Sequence, residues 1–132
     1  MSSPVPCDDM ITSAQAAPTP PNDLQPSAQR IFIGSGDTFF IGTLGMRWSD
    51  NLSFDNGAFH MKIGIYTLDR QPPRVSVVRS DGRARGSAAS SPTSQGLPGP
   101  LPTTVTIPTR GCWTVEARGA SGSAVVQVDI QS

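Results

Sequence analysis

The stretch Gly111-Cys112-Trp113-Thr114-Val115-Glu116-Ala117-Arg118 decides the fold class of this chain. Apolar Trp113, Val115 and Ala117 alternate with polar neighbours, and the same period of two continues through 123–130. A period of two places one set of side chains in a core and the other in solvent, as an antiparallel β-sheet requires. The stretch therefore predicts two adjacent closing strands of a small β-sandwich.

The remaining sequence has the composition of an all-β domain. Its 132 residues fit one domain, and the 13 glycines and 13 prolines favour turns over long helices. The pair Asn56-Gly57 predicts a tight hairpin turn, because both residues tolerate a positive φ angle. Alternating apolar residues predict the other strands at 30–34, at 38–44 with a continuation over 46–48, and at 60–68, 74–80 and 103–107.

These patterns favour an all-β fold, an immunoglobulin-like antiparallel β-sandwich of about seven or eight strands. Residues 1–29 contain six prolines and little periodicity, so we expect an extended Pro-rich N-terminal arm. Residues 30–132 then form a single sandwich domain, with a long Ser-, Gly- and Pro-rich loop predicted at 83–102. The arm and this loop are the segments expected to reach a partner, because long segments on a rigid sandwich commonly carry recognition.

The two cysteines, Cys7 and Cys112, lie near opposite ends of the chain. A disulfide between them would close a loop of about 100 residues and stabilise the fold by about 4 to 5 kcal/mol. Two reduced, buried thiols would instead suit a cytosolic protein, and a lipid-modified Cys7 is a third alternative that the preceding Pro4-Val5-Pro6 does not favour. We favour the disulfide, which would fasten the arm along the edge of the sandwich. Trp113 is then a core anchor between the sheets, with Cys112 on the opposite face.

The charge of the chain is balanced, with ten basic and ten acidic side chains. Bulk charge therefore predicts no binding to nucleic acid or to an anionic membrane. No apolar run comes near the roughly 20 residues that span a bilayer, so we expect no membrane insertion by this chain, and its N-terminus lacks the features of a signal segment. One local basic segment is a candidate for contact with a phosphate or an acidic partner, although protection of a strand edge explains it more simply. Its members are Arg70, Arg74, Arg79, Arg83 and Arg85.

Few residues are available for catalysis or for metal binding. His60 is the only histidine, and it falls in a predicted strand without a nucleophile elbow nearby. Glu116, the only glutamate, is predicted to lie on an outer sheet face beside Arg118, which does not suit a general acid. Two distant cysteines and one histidine lack the spacing of a zinc site. Turn formation explains the modest groups of carboxylates that calcium would need, at Asp8, Asp9, Asp37, Asp50 and Asp55. We therefore predict no catalytic residue, cofactor or metal.

Three segments resemble a known group of domains. They are Tyr66-Thr67-Leu68-Asp69-Arg70-Gln71-Pro72-Pro73, Leu101-Pro102-Thr103-Thr104 and Ile107-Pro108-Thr109-Arg110-Gly111-Cys112-Trp113-Thr114-Val115. The chain is similar to poorly characterised secreted or lipid-anchored bacterial β-sandwich domains that end in a Pro-x-x-Gly-Cys-Trp-x-Val strand. Those domains tend to begin with a cysteine in a Pro-rich segment, to which Cys7 corresponds. The resemblance implies an extracytoplasmic sandwich and carries over no catalytic residue.

Together these observations predict a non-catalytic extracytoplasmic module, secreted or in the cell envelope, whose signal segment is not present in this chain. We expect it to bind a cell-envelope protein or assembly, or to assemble with its own kind. A surface or structural subunit of a virion or filament is the first alternative, since it would share the fold and the extended arm. A small secreted hydrolase is the second, and it lacks suitable residues.

Overall fold

A computed structural model of the protein describes Cys7 and residues 9–12, 30–68, 71–90 and 99–130. These residues form nine β-strands and one short 3₁₀ helix. In chain order they are β1 Arg30–Ser35, β2 Thr38–Thr43, the 3₁₀ helix Trp48–Asn51, β3 Ser53–Asp55, β4 Ala58–Thr67, β5 Arg74–Arg79, β6 Ser87–Ser90, β7 Gly99–Ile107, β8 Gly111–Arg118 and β9 Ser123–Ile130.

The strands form two antiparallel sheets that enclose one main core. The larger sheet has the order β1-β2-β4-β7-β6, with β3 also paired to β4, and the smaller sheet has the order β5-β8-β9. Alternate residues of β4 and β8 point into the core, so Met61, Ile65, Trp113 and Val115 are at most 1% exposed. The predicted all-β sandwich is confirmed, whereas the immunoglobulin-like connectivity stays a prediction.

The predicted hairpin turn at Asn56-Gly57 is present between β3 and β4. Both residues have a positive φ angle, 52° for Asn56 and 77° for Gly57, as a two-residue turn of this twist requires. Asp55 and Ala58 pair directly on either side of the turn. The local sequence was therefore sufficient to place this hairpin.

The predicted loop over 83–102 is wrong at both of its ends. Strand β6 lies within it, and β7 begins at Gly99 rather than at Thr103, while 91–98 fall outside the described residues. The small side chains of β6 do not alternate between apolar and polar. Pairing with β7 in the folded protein, and not a local pattern, therefore makes this segment a strand. Within the described residues, the pairing of β6 with β7 covers Thr103–Thr106 and stops short of Pro102, in keeping with the confinement of proline to strand positions that need no ladder donor.

The predicted continuation of the second strand over 46–48 is also replaced by another structure. Arg47 instead forms an isolated antiparallel bridge with Met10, and the 3₁₀ helix begins at Trp48. The backbone N–H of Ile11 donates to Met46 at 2.9 Å, and the N–H of Trp48 donates to the carbonyl of Asp9 at 3.0 Å. The N-terminal arm thus takes the backbone hydrogen bonds that a continued strand would have given to the sheet. Local sequence patterns could not reveal this partner.

The predicted disulfide between Cys7 and Cys112 fastens this arm to β8, with 5.7 Å between the Cα atoms. Trp113 faces the other way, is fully buried, and donates its indole N–H to the carbonyl of Thr109 at 2.9 Å. Beyond the disulfide, the side chain of Ile11 is 4% exposed and belongs to the core. A Cβ atom on Gly42 would lie only 2.9 Å from Ile11 Cγ2, so glycine makes room for the arm. The rest of the predicted arm lies outside the described residues.

We expect the double variant Cys7→Ser with Cys112→Ser to lose about 3 to 5 kcal/mol of unfolding free energy, because the disulfide closes a very long loop. Urea denaturation of the variant and of the wild type, each with and without reductant, measures this difference. Reductant should destabilise only the wild type. Equal stability of the variant and the oxidised wild type would contradict the expectation.

A second set of contacts joins the β1–β2 turn to the β8–β9 turn. One carboxylate oxygen of Asp37 accepts a hydrogen bond from the Thr38 hydroxyl at 2.9 Å, and the other accepts from the Ser121 backbone N–H at 3.2 Å. A Cβ atom on Gly122 would overlap the carbonyl oxygen of Ser35. Burial acts to raise the pKa of Asp37, but the hydrogen bonds outweigh it, and the pKa is lowered from 3.8.

Asp37 therefore stabilises the fold when it is ionised. Because its folded pKa lies below the unfolded value, the contribution is complete above about pH 4 and is lost as the pH falls through the folded pKa. We expect Asp37→Asn to cost about 1 to 3 kcal/mol at neutral pH and to flatten the acid limb of the stability curve. Urea denaturation between about pH 2 and pH 7 tests both effects, and an unchanged acid limb would contradict the assignment.

Candidate functional site

The β3–β4 hairpin presents an exposed aromatic side chain. Phe54 is 66% exposed, and its ring meets that of Phe59 edge to face, with 4.9 Å between centroids. The two residues are direct partners across the strands. Phe59 also packs against the core, whereas β3 is only three residues long and all of its residues are exposed. The hairpin thus anchors one ring and leaves the other in solvent.

A groove of about 310 Å³ lies beside these rings, and we call it the hairpin groove. The 3₁₀ helix contributes Ser49 to its lining, and β9 contributes Asp129. These side chains offer both hydrogen-bond donors and acceptors next to an aromatic surface. The apolar residues of the lining are Leu52, Phe54 and Phe59, and the polar ones are Arg47, Ser49, Ser53 and Asp129.

A second groove of about 480 Å³, which we call the sheet groove, also has Ser53 in its lining. The pairing of β2 with β4 ends at Gly64, and the pairing of β3 with β4 begins at His60. Residues 61–63 of β4 therefore lie in a gap between two ladders. The lining comprises one apolar residue, Met61, and five polar residues, Asn51, Ser53, His60, Lys62 and Thr104.

His60 has a structural role in this groove. Its Nε2 lies 3.2 Å from the carbonyl oxygen of Asp55, and its Nδ1 lies 3.2 Å from the Thr106 hydroxyl. A carbonyl can only accept, so Nε2 donates, and Nδ1 of the neutral ring accepts from Thr106. Ser53 Oγ bonds the backbone carbonyl of His60 rather than its ring. The ring therefore links the hairpin to β7.

The N-terminal arm supports the hairpin groove from behind. Both the backbone N–H and the hydroxyl of Ser49 donate to the carboxylate of Asp9. Burial raises the pKa of Asp9 above 3.8, the bonds from Ser49 offset only part of this, and the charge of Asp129 adds to it. The folded pKa of Asp9 thus lies above the unfolded value of 3.8. The free energy of unfolding therefore increases as the pH falls from the folded pKa to the unfolded one. Ser49 is thereby held where it lines the groove.

Two other carboxylates considered as candidate ligands or acids, those of Asp50 and Glu116, are bonded to nearby residues of the chain. Asp50 accepts the backbone N–H of Arg47 at 2.9 Å and so caps the start of the 3₁₀ helix. Glu116 pairs with Arg118 at 3.2 Å, and Asp8 lies outside the described residues. Among the residues that the structure describes, no three His, Cys, Asp or Glu side chains lie together as a metal site would need.

The predicted basic segment is divided between the two ends of β5. Arg74 is exposed at its start, directly across from Arg118 on β8. Arg79, which pairs with Asp81 at 3.4 Å, lies at its other end. Exposed Arg83 and Arg85 follow in the connection to β6, and Arg70 lies outside the described residues. The segment does not form one continuous patch in the described part of the chain.

In the sequence, Phe54 is only part of a hairpin pattern, and nothing there marks it as a surface residue. The available clue was a pair of phenylalanines at matched positions around Asn56-Gly57. Cross-strand aromatic pairs also stabilise a hairpin, so this clue did not by itself predict exposure. The contribution of Asp129, distant in sequence, had no local signal.

Comparison of the chain with protein-family models, curated proteins and solved structures finds no match. The resemblance to secreted bacterial sandwich domains therefore stays a prediction. Within 7, 9–12, 30–68, 71–90 and 99–130, no helix has the length and hydropathy needed to cross a membrane.

We expect His60→Ala to lower the unfolding free energy by about 1 to 2 kcal/mol, because it removes two side-chain hydrogen bonds. The neighbouring exposed variant Lys62→Ala should change stability by less than about 0.5 kcal/mol. Urea denaturation of both variants measures the difference. A structural role would be contradicted if the two variants were equally stable.

Proposed function

We propose that the protein is a non-catalytic, extracytoplasmic binding module that associates with a protein or an assembly of the cell envelope. The single observation that carries this proposal is the exposure of Phe54 on a hairpin that the core anchors through Phe59. Large aromatic side chains at the centre of an interface commonly dominate its binding energy. The polar groups of the adjacent hairpin groove would supply the orientation of the partner.

The strand order supports an immunoglobulin-like module. The sequence β2-β4-β7-β6 in one sheet, opposite β5-β8-β9 in the other, corresponds to the ABED and CFG sheets of a constant-type immunoglobulin domain. Strand β1 extends the first sheet by one. The disulfide departs from that pattern, because it joins β8 to the N-terminal arm and not to the facing sheet.

The disulfide supports an extracytoplasmic location. Disulfides form and persist in oxidising compartments, and they are rare in the cytosol. Here the bond joins residues 105 positions apart and holds an arm that the core accepts through Ile11. A long-range structural disulfide of this kind suits a secreted or envelope protein.

The setting of His60 favours a structural role over hydrolysis. The hydroxyl that bonds its Nδ1 belongs to Thr106, which lies inside the sheet with β4 on one side and β6 on the other. A hydrolase commonly presents its nucleophile on an exposed turn instead. The only histidine of the chain is thus used to position the hairpin.

We expect Phe54→Ala to weaken association with envelope fragments by about tenfold or more, since truncation of a central aromatic contact commonly costs over about 1.4 kcal/mol. Cosedimentation of the full chain with envelope fragments from the organism that carries the gene measures this. The matched control is Val125→Ala, an apolar side chain 48% exposed on β9. Equal effects of the two variants, or no sedimentation of the wild type, would contradict the proposal.

A further inference from the structure

We propose that strand β3 pairs with β3 of a second copy of this chain, so that the larger sheets of the two copies join edge to edge. The proposal rests on the proposed function and deepens it, because it names a second copy as a partner that the Phe54 hairpin contacts. One edge of β3 is paired to β4. In the described part of the chain, no strand pairs with the other edge. A free edge of this kind is a template for pairing with another chain.

The free edge of β3 carries the backbone N–H and C=O groups of Phe54. The turn between β3 and β4 has two residues, and Asp55 and Ala58 flank it as a direct pair. The carbonyl of the first flanking residue accepts from the N–H of the last in such a turn, so Asp55 bonds β4. Hydrogen-bonded and non-hydrogen-bonded pairs alternate along an antiparallel ladder. The next pair, Phe54 with Phe59, is therefore non-hydrogen-bonded, and the backbone polar groups of Phe54 point away from β4.

Strand β3 is complementary to an antiparallel copy of itself, as a two-fold symmetric contact requires. With Phe54 at the two-fold axis, the two copies of this residue exchange a pair of backbone hydrogen bonds. Ser53 then lies across from Asp55 of the second copy. The Ser53 hydroxyl lies 3.5 Å from the carbonyl of His60, at the limit of a hydrogen bond, and it can donate instead to that carboxylate. Each donor of the strand thus meets an acceptor of its copy.

The core-facing side of the sheet adds an aromatic contact. Phe59 packs against the core, and Phe54 is its cross-strand neighbour on the same side, with 4.9 Å between ring centroids. Pairing of β3 with its copy places the two Phe54 rings side by side, each still against its own Phe59. Cross-strand aromatic pairs stabilise a sheet. Burial of two rings that are each 66% exposed in the single copy favours the association.

The charges of the chain favour a second copy as the occupant of this edge. Strong net charge keeps proteins monomeric through repulsion between copies, whereas this chain has ten charges of each sign. Asp55 is the only charged residue of β3, and in the register centred on Phe54 it faces Ser53 of the copy. A register shifted toward the turn would oppose two Asp55 carboxylates directly, which is unfavourable. Charge thus selects both the occupant and its register.

The contact is small and therefore defines a weak, reversible dimer. Strand β3 has three residues, so the paired area falls below that of a standard stable interface. Copies held next to one another in an envelope assembly have a high effective concentration, at which a weak contact is populated. The edge pairing is therefore suited to organising neighbouring copies at a surface.

Sedimentation equilibrium of the full chain between about 10 µM and about 1 mM measures this association. We expect a reversible equilibrium of monomer and dimer, and Phe54→Ala should weaken it by about tenfold or more. The matched control is Val125→Ala, which truncates an apolar side chain 48% exposed on β9 and should dimerise as the wild type does. Thermal melts establish that both variants are folded. A wild type that stays monomeric over this range, or an equal loss in both variants, overturns the proposal.

Cysteine cross-linking under mild oxidation tests the register. Residues paired across an antiparallel ladder have Cα atoms about 4.5 to 5.5 Å apart, a distance that a disulfide spans. Phe54→Cys should therefore form a covalent dimer by itself, whereas Ser53→Cys should form one only when it is mixed with Asp55→Cys. Val125→Cys is the control. Cross-linking of Val125→Cys as fast as that of Phe54→Cys, or of Ser53→Cys alone as fast as in the mixture, overturns the proposal.

These experiments separate failure of the second copy as partner from failure of the proposed function. A chain that stays monomeric but sediments with envelope fragments through Phe54 has another partner at this edge, so the proposed function stands and the dimer does not. A chain that dimerises through Phe54 but never sediments with envelope fragments keeps the second copy as its partner and loses the envelope association.

Discussion

The attachment of the N-terminal arm to the sandwich is the constraint on which the candidate site depends. The disulfide at Cys112 brings the arm across the small sheet, and Ile11 then enters the core. Between them, Asp9 accepts hydrogen bonds from Ser49 in the 3₁₀ helix. This helix supplies one wall of the hairpin groove. The disulfide and the Asp9–Ser49 contacts therefore hold the arm against one wall of this groove.

The fold shifts the pKa values of two buried aspartates in opposite directions. Asp37 joins two turns, and the hydrogen bonds that it accepts lower its pKa despite its burial. At Asp9 burial prevails over the bonds from Ser49, and the nearby charge of Asp129 raises the pKa further. Protonation of Asp37 at low pH therefore weakens the contact between the two turns, whereas protonation of Asp9 removes the free-energy cost of burying its charge beside the arm. The same residue type serves both places because its neighbours set the balance of solvation and hydrogen bonding.

Strands with a clear alternation were predictable from the sequence. The closing pair β8 and β9 and the β3–β4 hairpin agree closely with expectation, because period-two patterns and the Asn56-Gly57 turn act over a few residues. Strand β6 and the first part of β7 were missed. Their small side chains and prolines have no periodic signal, and pairing with a distant strand decides their structure.

Composition and local alternation were enough to assign the all-β class and to place Trp113 in the core, and the two cysteines made the disulfide the favoured one of three alternatives. The pairing of distant strands was needed to bring His60 to Thr106, to place Asp129 and Arg47 in the lining of one groove, and to leave Phe54 exposed. Thr106 and Asp129 lie far along the chain from His60 and Arg47. Their juxtaposition follows from strand order and register, which short-range patterns do not encode.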